Sequence, residues 1–147
     1  MLRYLPDTYT VIFILKNRPA YLREKFNGLS GTLATSTAVL SELIYGAECP
    51  ATLEANIAII EGFTARLELL SFDDAAAYHC GQIRGQLCKA GTPIGSYDLM
   101  IAGHACSRGL TVVTNNVWEF GRVPGLQVED WLAAEQQHVH GGGPSDC

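Results

Sequence analysis

Short runs of strand-forming residues alternate along this chain with longer stretches of helical periodicity, and that alternation constrains the fold more than any other feature. The clearest run is Leu110-Thr111-Val112-Val113-Thr114, whose β-branched side chains suit a pleated surface. Leu2 to Pro6, Thr32 to Thr35, Glu68 to Phe72 and Leu126 to Glu129 read as shorter strands. Between them lie segments with helix starts and stops. Pro19 opens a helix from Ala20 to Asn27, which Gly28 ends. Ser36-Thr37 caps a helix to Ala47, and Leu53, Ile57, Ile60, Phe63 and Leu67 mark an amphipathic helix from Ala51 to Leu67. Asp73 caps a helix from Asp74 to Ala90, ended by Gly91, and a further helix runs to Arg108 with Gly109 as its stop. Val117 to Phe120 reads as one helical turn. Strands separated by helices pair in parallel. The expectation is a three-layer α/β/α fold with a small, mainly parallel sheet of about four or five strands.

One segment admits two readings. Val11-Ile12-Phe13-Ile14-Leu15 suits a strand by propensity. Asp7, Thr8 and Thr10 before it suit a helix start. Helix is preferred, because an acid just past a strand's C-terminal end is where α/β folds place their chemistry.

Asp7 follows the first strand, and Asp98 opens a helix after the turn-rich stretch Gly91-Thr92-Pro93-Ile94-Gly95-Ser96. A carboxylate in that first turn is favoured by the positive end of the helix dipole. Glu42 stands among Val39, Leu40, Leu43 and Ile44, where an acid is costly unless paired or bound. Asn115-Asn116 and Glu119 leave the last long strand at the same sheet edge. Each acid alone also has a structural reading: a cap satisfied by backbone N–H groups, or a solvated side chain. Taken together, Asp and Glu without nearby Cys or His favour a hard cation, Mg²⁺ or Mn²⁺. Such an ion can activate water and neutralise a phosphodiester. Other polar and aromatic residues receive plainer readings. His79 and His104 read as packed or hydrogen-bonded histidines, and Arg84 as a surface or salt-bridged residue with phosphate contact as its alternative. Trp118 and Trp131 read as core or interface aromatics, and Tyr97 as a core residue with stacking on a base as its alternative.

Composition narrows the class further. The 147 residues, 48% hydrophobic and 17% charged, are enough for one substantial core. No apolar run approaches the ~20 residues of a membrane span. The start, M-L-R-Y-L-P-D, lacks the layout of a secretory signal, so a cytoplasmic protein without membrane contact is expected. The five cysteines are irregularly spaced without a C-x-x-C, which suggests neither a zinc knuckle nor a disulfide framework. The net charge of −5 is unlike a nucleic-acid coat protein and suits a basic protein partner. Residues 133–147 have few apolar side chains and are expected to form a mobile tail, with His138 and His140 given no native role.

Several pieces, in order, resemble the VapC-type PIN-domain ribonucleases, the toxin half of toxin–antitoxin pairs. They are Asp7-Thr8, T-S-T-A-V-L-S-E-L-I-Y-G-A-E from Thr35, E-G-F-T-A-R-L-E from Glu61 and G-Q-I-R from Gly81. G-T-P-I-G-S-Y-D-L-M-I-A-G-H-A from Gly91, T-N-N-V-W-E-F from Thr114 and V-P-G-L-Q-V-E-D-W from Val123 complete the set. The likeness spans residues 1–132, taken as one nuclease domain. It implies that Asp7 and Asp98 are the principal metal ligands and that Glu42 is the acid of the second motif. The family's fourth acidic position falls at Asn116, an amide here, and Glu119 is placed to fill that role. The resemblance further implies Mg²⁺-dependent hydrolysis of structured RNA, transfer RNA in particular, with the anticodon loop of initiator transfer RNA as the target of close relatives. It implies a homodimer and a VapB-type antitoxin that inserts a basic side chain into the acidic pocket. Thr8 and Thr114 are candidates to orient an acid or the phosphate.

The chain departs from the family pattern at Pro6, Tyr9, Leu99 and Gly121. Pro6 lacks a backbone donor, and Tyr9 puts a phenol where relatives carry a small amide. A second reading follows, a PIN-type binding module that dimerises and sequesters an antitoxin without cutting. A third is a nuclease acting on DNA.

Overall fold

A computed structural model describes residues 1–48 and 50–132. The elements run β1 (Tyr4–Pro6), α1 (Thr8–Leu15), α2 (Ala20–Gly28), β2 (Ala34–Ser36), α3 (Thr37–Ala47), α4 (Leu53–Thr64), β3 (Glu68–Leu70), α5 (Asp74–Lys89), α6 (Ser96–Arg108), β4 (Thr111–Val113), α7 (Val117–Phe120) and β5 (Val128–Glu129). Every expected strand is present, but each is two or three residues long, shorter than its apolar run.

All strand pairs are parallel: β1 with β4, β4 with β5, and β2 with β3. Among the described residues the five strands form a three-stranded ladder β1-β4-β5 and a two-stranded ladder β2-β3. A single bridge, Tyr4 to Leu33, joins them.

Pro6 accounts for the split. Asp7 N–H donates to Val113 O at 2.8 Å, and Thr111 N–H donates to Arg3 O at 2.8 Å. Odd-numbered residues of β1 therefore face β4. Tyr4 N–H donates the other way, to Thr32 O at 3.1 Å. By the alternation of a strand, the nitrogen of Pro6 falls on the β2 side. It has no hydrogen to continue the ladder there, and pairing with β2 stops at Tyr4. The β4 side, where Asp7 is fixed, is untouched.

The segment after Asp7 is helix α1, as expected despite its β-branched run. Asp7 caps it, with Oδ1 accepting from Thr10 N–H at 2.9 Å. That cap and the burial of Thr10, Val11 and Ile14 override a weak local preference. Ser36 and Asp73 cap α3 and α5 by the same device, and Gly109 ends α6 at φ 64°, a left-handed conformation that favours glycine.

The core is centred on β1 and β4, with Leu5, Val112 and Val113 completely buried under α1, α3 and α6. Helix α5 lies close along α6 at Gly103, where a Cβ would come within 2.8 Å of Cys80 Cα. His104 is buried and bonds through Nδ1 to Ser36 Oγ at 2.8 Å, with Phe72 edge-on at 5.6 Å. His79 is half-buried and bonds to its own helix at Ala75 O. Trp131 is buried against Tyr4, ring centroids 5.5 Å apart.

One expectation is corrected: Tyr97 is not packed in the core but 51% exposed; Trp118, read as core or interface, is 66% exposed and so not core. The apolar partner of α6 is supplied instead by Leu99, Ile101, Ala102 and Ala105, and that of α7 by Phe120. Cys80, Cys88 and Cys106 are free thiols. Among the described residues no helix is long and apolar enough to cross a membrane. The expected tail, with His138 and His140, lies outside the described residues, as do Cys49 and Cys147.

Candidate active site

Parallel strands deliver their C-terminal ends to one edge, and the acids gather there. Asp7 leaves β1 and is 2% exposed. Both its oxygens are held. Oδ1 accepts from Thr10 N–H at 2.9 Å, and Oδ2 accepts from the Thr114 hydroxyl at 2.5 Å, just past β4. Thr10 Oγ1 in turn donates to Val113 O at 3.1 Å, so α1 is locked to β4. Burial pushes the Asp7 carboxyl up, against the pull of the Thr114 and Thr10 bonds, and Asp130 adds to the rise.

Asn116 organises the second group. Its backbone N–H donates to Thr114 Oγ1 at 2.9 Å. Its Nδ2 donates to Asp98 Oδ2 at 3.1 Å and to Glu119 Oε2 at 2.7 Å. Glu119 Oε1 accepts from Gly95 N–H at 2.5 Å, which ties α7 to the loop that opens α6. Thr114 thus bonds both to Asp7 and to the residue that bridges the other two acids.

Crowding of like charge shows in the titration of the pair. Asp98 is pushed up to about 7, first by burial, then by the charges of Glu119 and Asp7. Burial would also raise Glu119, but bonds from Gly95, Asn116 and Asp98 and the charge of Arg122 together bring it below its ordinary value.

Glu42 approaches from α3, where Thr8 Oγ1 donates to its Oε1 at 2.6 Å. It makes no hydrogen bond to the other carboxylates in the described structure. Glu119 is tied to Asp98 through the Asn116 amide. Asp130 was not anticipated. It follows β5 as Asp7 follows β1, and the same strand-end logic points to it.

A divalent cation is tested against these donors. Among the described residues no group of three or more His, Cys, Asp and Glu stands gathered as a ready ligand set. Carboxylates drawn that close would repel one another, and the Asn116 amide bridges two of them instead. The donor chemistry nevertheless fits. The set is all oxygen, suited to a hard ion. Asp98 is raised by its acidic neighbours, a cost a cation would relieve. Asn116 Oδ1 is buried without a hydrogen-bond partner, a carbonyl oxygen available to an ion or its water.

Known proteins resemble this chain in sequence and in fold. The PIN domain family profile matches residues 4–126. The chain is 54% identical over 131 residues to tRNA(fMet)-specific endonuclease VapC of Salmonella typhimurium, covering 89% of this chain and 99% of that one. It is 43% identical over 132 residues to ribonuclease VapC2 of Haemophilus influenzae, covering 90% and 100%. Among solved structures, DNA-bound VapBC from Salmonella typhimurium aligns with a TM-score of 0.85 at 54% identity, over 89% of this chain and 99% of that one. VapBC2 from Rickettsia felis, bound to a promoter fragment, aligns at 0.82 with 33% identity, over 88% and 99%.

Proposed function

This chain belongs to the PIN-domain family, and within it to the VapC ribonucleases; on that premise we propose that it is a Mg²⁺-dependent endoribonuclease toxin. Its substrate on this reading is structured RNA, foremost initiator transfer RNA, and its inhibitor a VapB-type antitoxin. Relatives named for tRNA(fMet) cleavage and neighbours solved as VapBC complexes support the substrate and the partner. We place residues 1–132 as the nuclease domain.

The observation that carries the mechanism is the linkage Asp7–Thr114–Asn116–Asp98/Glu119 at one sheet edge. Asp7, Asp98 and Glu119 would hold the ion, with Glu42 and the Asn116 carbonyl at its margin. When bound, a divalent ion supplies Lewis acidity that activates water and neutralises charge on the phosphodiester. The chain's own residues do the rest. Thr10 and Thr114 fix both oxygens of Asp7, so the remaining lone pairs keep one orientation. Asn116 sets the spacing of Asp98 and Glu119. Asp98, raised first by burial and then by the charges of Glu119 and Asp7, would give up its proton on taking a cation. Thr8 holds one oxygen of Glu42.

Nothing at the site favours the inactive-module reading. Pro6 spends its missing donor on the β2 side, while Asp7 N–H keeps its bond to Val113. Tyr9 is 45% exposed. Incubation of purified protein with Mg²⁺ and transfer RNA tests the assignment. Cleavage is expected from wild type and none from Asp98→Ala or Asp7→Asn. Full activity in Asp7→Asn would sink it, and parallel digestion of single-stranded DNA separates the third reading.

A further inference from the structure

Two large aromatics next to the carboxylates in sequence are exposed, while Phe120, on the other side of Glu119, is buried. Tyr97 precedes Asp98 and is 51% exposed; Trp118 precedes Glu119 and is 66% exposed. The two lie on different elements, α6 and α7. Those elements are fastened together, because the Asn116 amide bridges Asp98 and Glu119, and Gly95 N–H donates to Glu119. Each exposed ring is thus the sequence neighbour of one acid of a bridged carboxylate pair. Tyr9, 45% exposed, stands two residues beyond Asp7.

We propose that Tyr97 and Trp118 are a stacking rim for unpaired bases on either side of the scissile phosphodiester, and that they select single-stranded segments for the carboxylates. The inference rests on the ribonuclease reading and adds the residues that position its substrate.

The charge distribution supports bases as the occupant. The chain carries −5 overall, and its site is lined with acids. A polyanion is not drawn to such a surface by long-range attraction. Stacking is a source of affinity that does not depend on positive charge, because every base presents a π face. It also requires bases free of a duplex, which admits loops and excludes paired stems. Burial explains why these rings are not spare core: the inward faces of α6 and α7 are already filled by Leu99, Ile101, Ala102 and Phe120.

The test compares Tyr97→Ala, Tyr97→Phe, Trp118→Ala and Trp118→Phe on two substrates, an RNA stem-loop and a base-free aryl phosphodiester. The Ala variants are expected to raise KM for the stem-loop roughly tenfold, with kcat little changed. The Phe variants should recover most of the loss, and hydrolysis of the base-free diester should stay at the wild-type rate. A parallel arm measures anisotropy of a labelled single-stranded oligoribonucleotide bound to the Asp7→Asn protein with Mg²⁺. There the Ala substitutions should weaken binding by a similar factor. Unchanged KM and unchanged binding in the Ala variants would overturn the proposal, including the case in which a protein partner covers the rim. Equal loss on both substrates would also overturn it, since the rings would then only prop the acids. A wild type that leaves RNA intact defeats the ribonuclease reading instead, and the binding arm still decides the rim.

Discussion

The Thr114 hydroxyl donates to Asp7 Oδ2 at 2.5 Å, joining the ends of two neighbouring parallel strands 107 residues apart in sequence. The same oxygen accepts from the backbone N–H of Asn116 at 2.9 Å. One side chain thereby sets the orientation of the most buried acid and the start of the segment that carries Asn116 and Glu119.

Replacing Thr114 with Val keeps the shape and removes this link. Divalent-ion affinity is expected to fall by about 10- to 100-fold, with kcat following at subsaturating ion. Calorimetric titration with Mn²⁺ checks it. Affinity equal to wild type would mean that Asp7 is held well enough by Thr10 alone. A Ser at this position retains the hydroxyl and should retain most of the binding.

Asp98 makes stability depend on pH in a stated direction. Its carboxyl lies at about 7 in the fold against an ordinary 3.8, so the folded state holds a proton that the unfolded chain has released. That stabilisation is fully present below 3.8 and is lost as pH rises through about 7. His104, lowered by burial, acts oppositely, but only below its ordinary 6.5. Between pH 6.5 and 8 the metal-free protein should therefore lose thermal stability, and Asp98→Asn should flatten the slope. Mg²⁺ should restore Tm more at pH 8 than at pH 6.5, because ion and proton compete for the same oxygens. Scanning calorimetry with and without EDTA reads all four conditions, and a Tm that rises across this window would contradict the assignment.

Asn116→Asp introduces a carboxylate where the bridging amide stands. Without the Nδ2 donor and with a fourth negative charge, the metal-free protein is expected to be less stable and Asp98 to move higher still. Divalent-ion binding should tighten by the same reasoning, since the ion then neutralises more charge. The two effects are reciprocal: lower Tm in EDTA and a lower Kd for Mn²⁺. Weaker binding together with a lower Tm would indicate that the Asn116 carbonyl contributes more as a neutral donor than a carboxylate would.

Gly103 supports the site from behind. A Cβ there would lie 2.8 Å from both Cα and N of Cys80, backbone atoms of the facing helix that cannot move aside cheaply. Gly103→Ala should cost about 1–3 kcal/mol, the usual range for overpacking. Urea unfolding gives the number directly. Cleavage measured well below the transition should be little affected in kcat, because Asp98 lies more than a turn away along α6.

The alternation of elements was legible because its signals are local. Asp7, Ser36 and Asp73 act as caps through bonds to N–H groups two or three residues on, and Gly109 needs only its own φ. Asp7 and Asp98 were recognisable for a related reason: each follows a turn at a strand end or a helix start, and a parallel sheet delivers such positions to one edge. The resemblance to PIN-domain ribonucleases drew on the same short stretches.

Three properties of this protein were decided by the tertiary structure. Which side of β1 lacks a donor at Pro6 depends on which neighbour each edge meets, and sequence does not order strands in a sheet. Whether Glu42 or Glu119 joins Asp98 depends on the Asn116 amide and Gly95 N–H, contacts 18 and 24 residues apart in sequence. Tyr97 and Trp118 face solvent because other residues had already filled the space beneath α6 and α7. Apolar character says that a ring can be buried; only the packing of its neighbours says whether there is room.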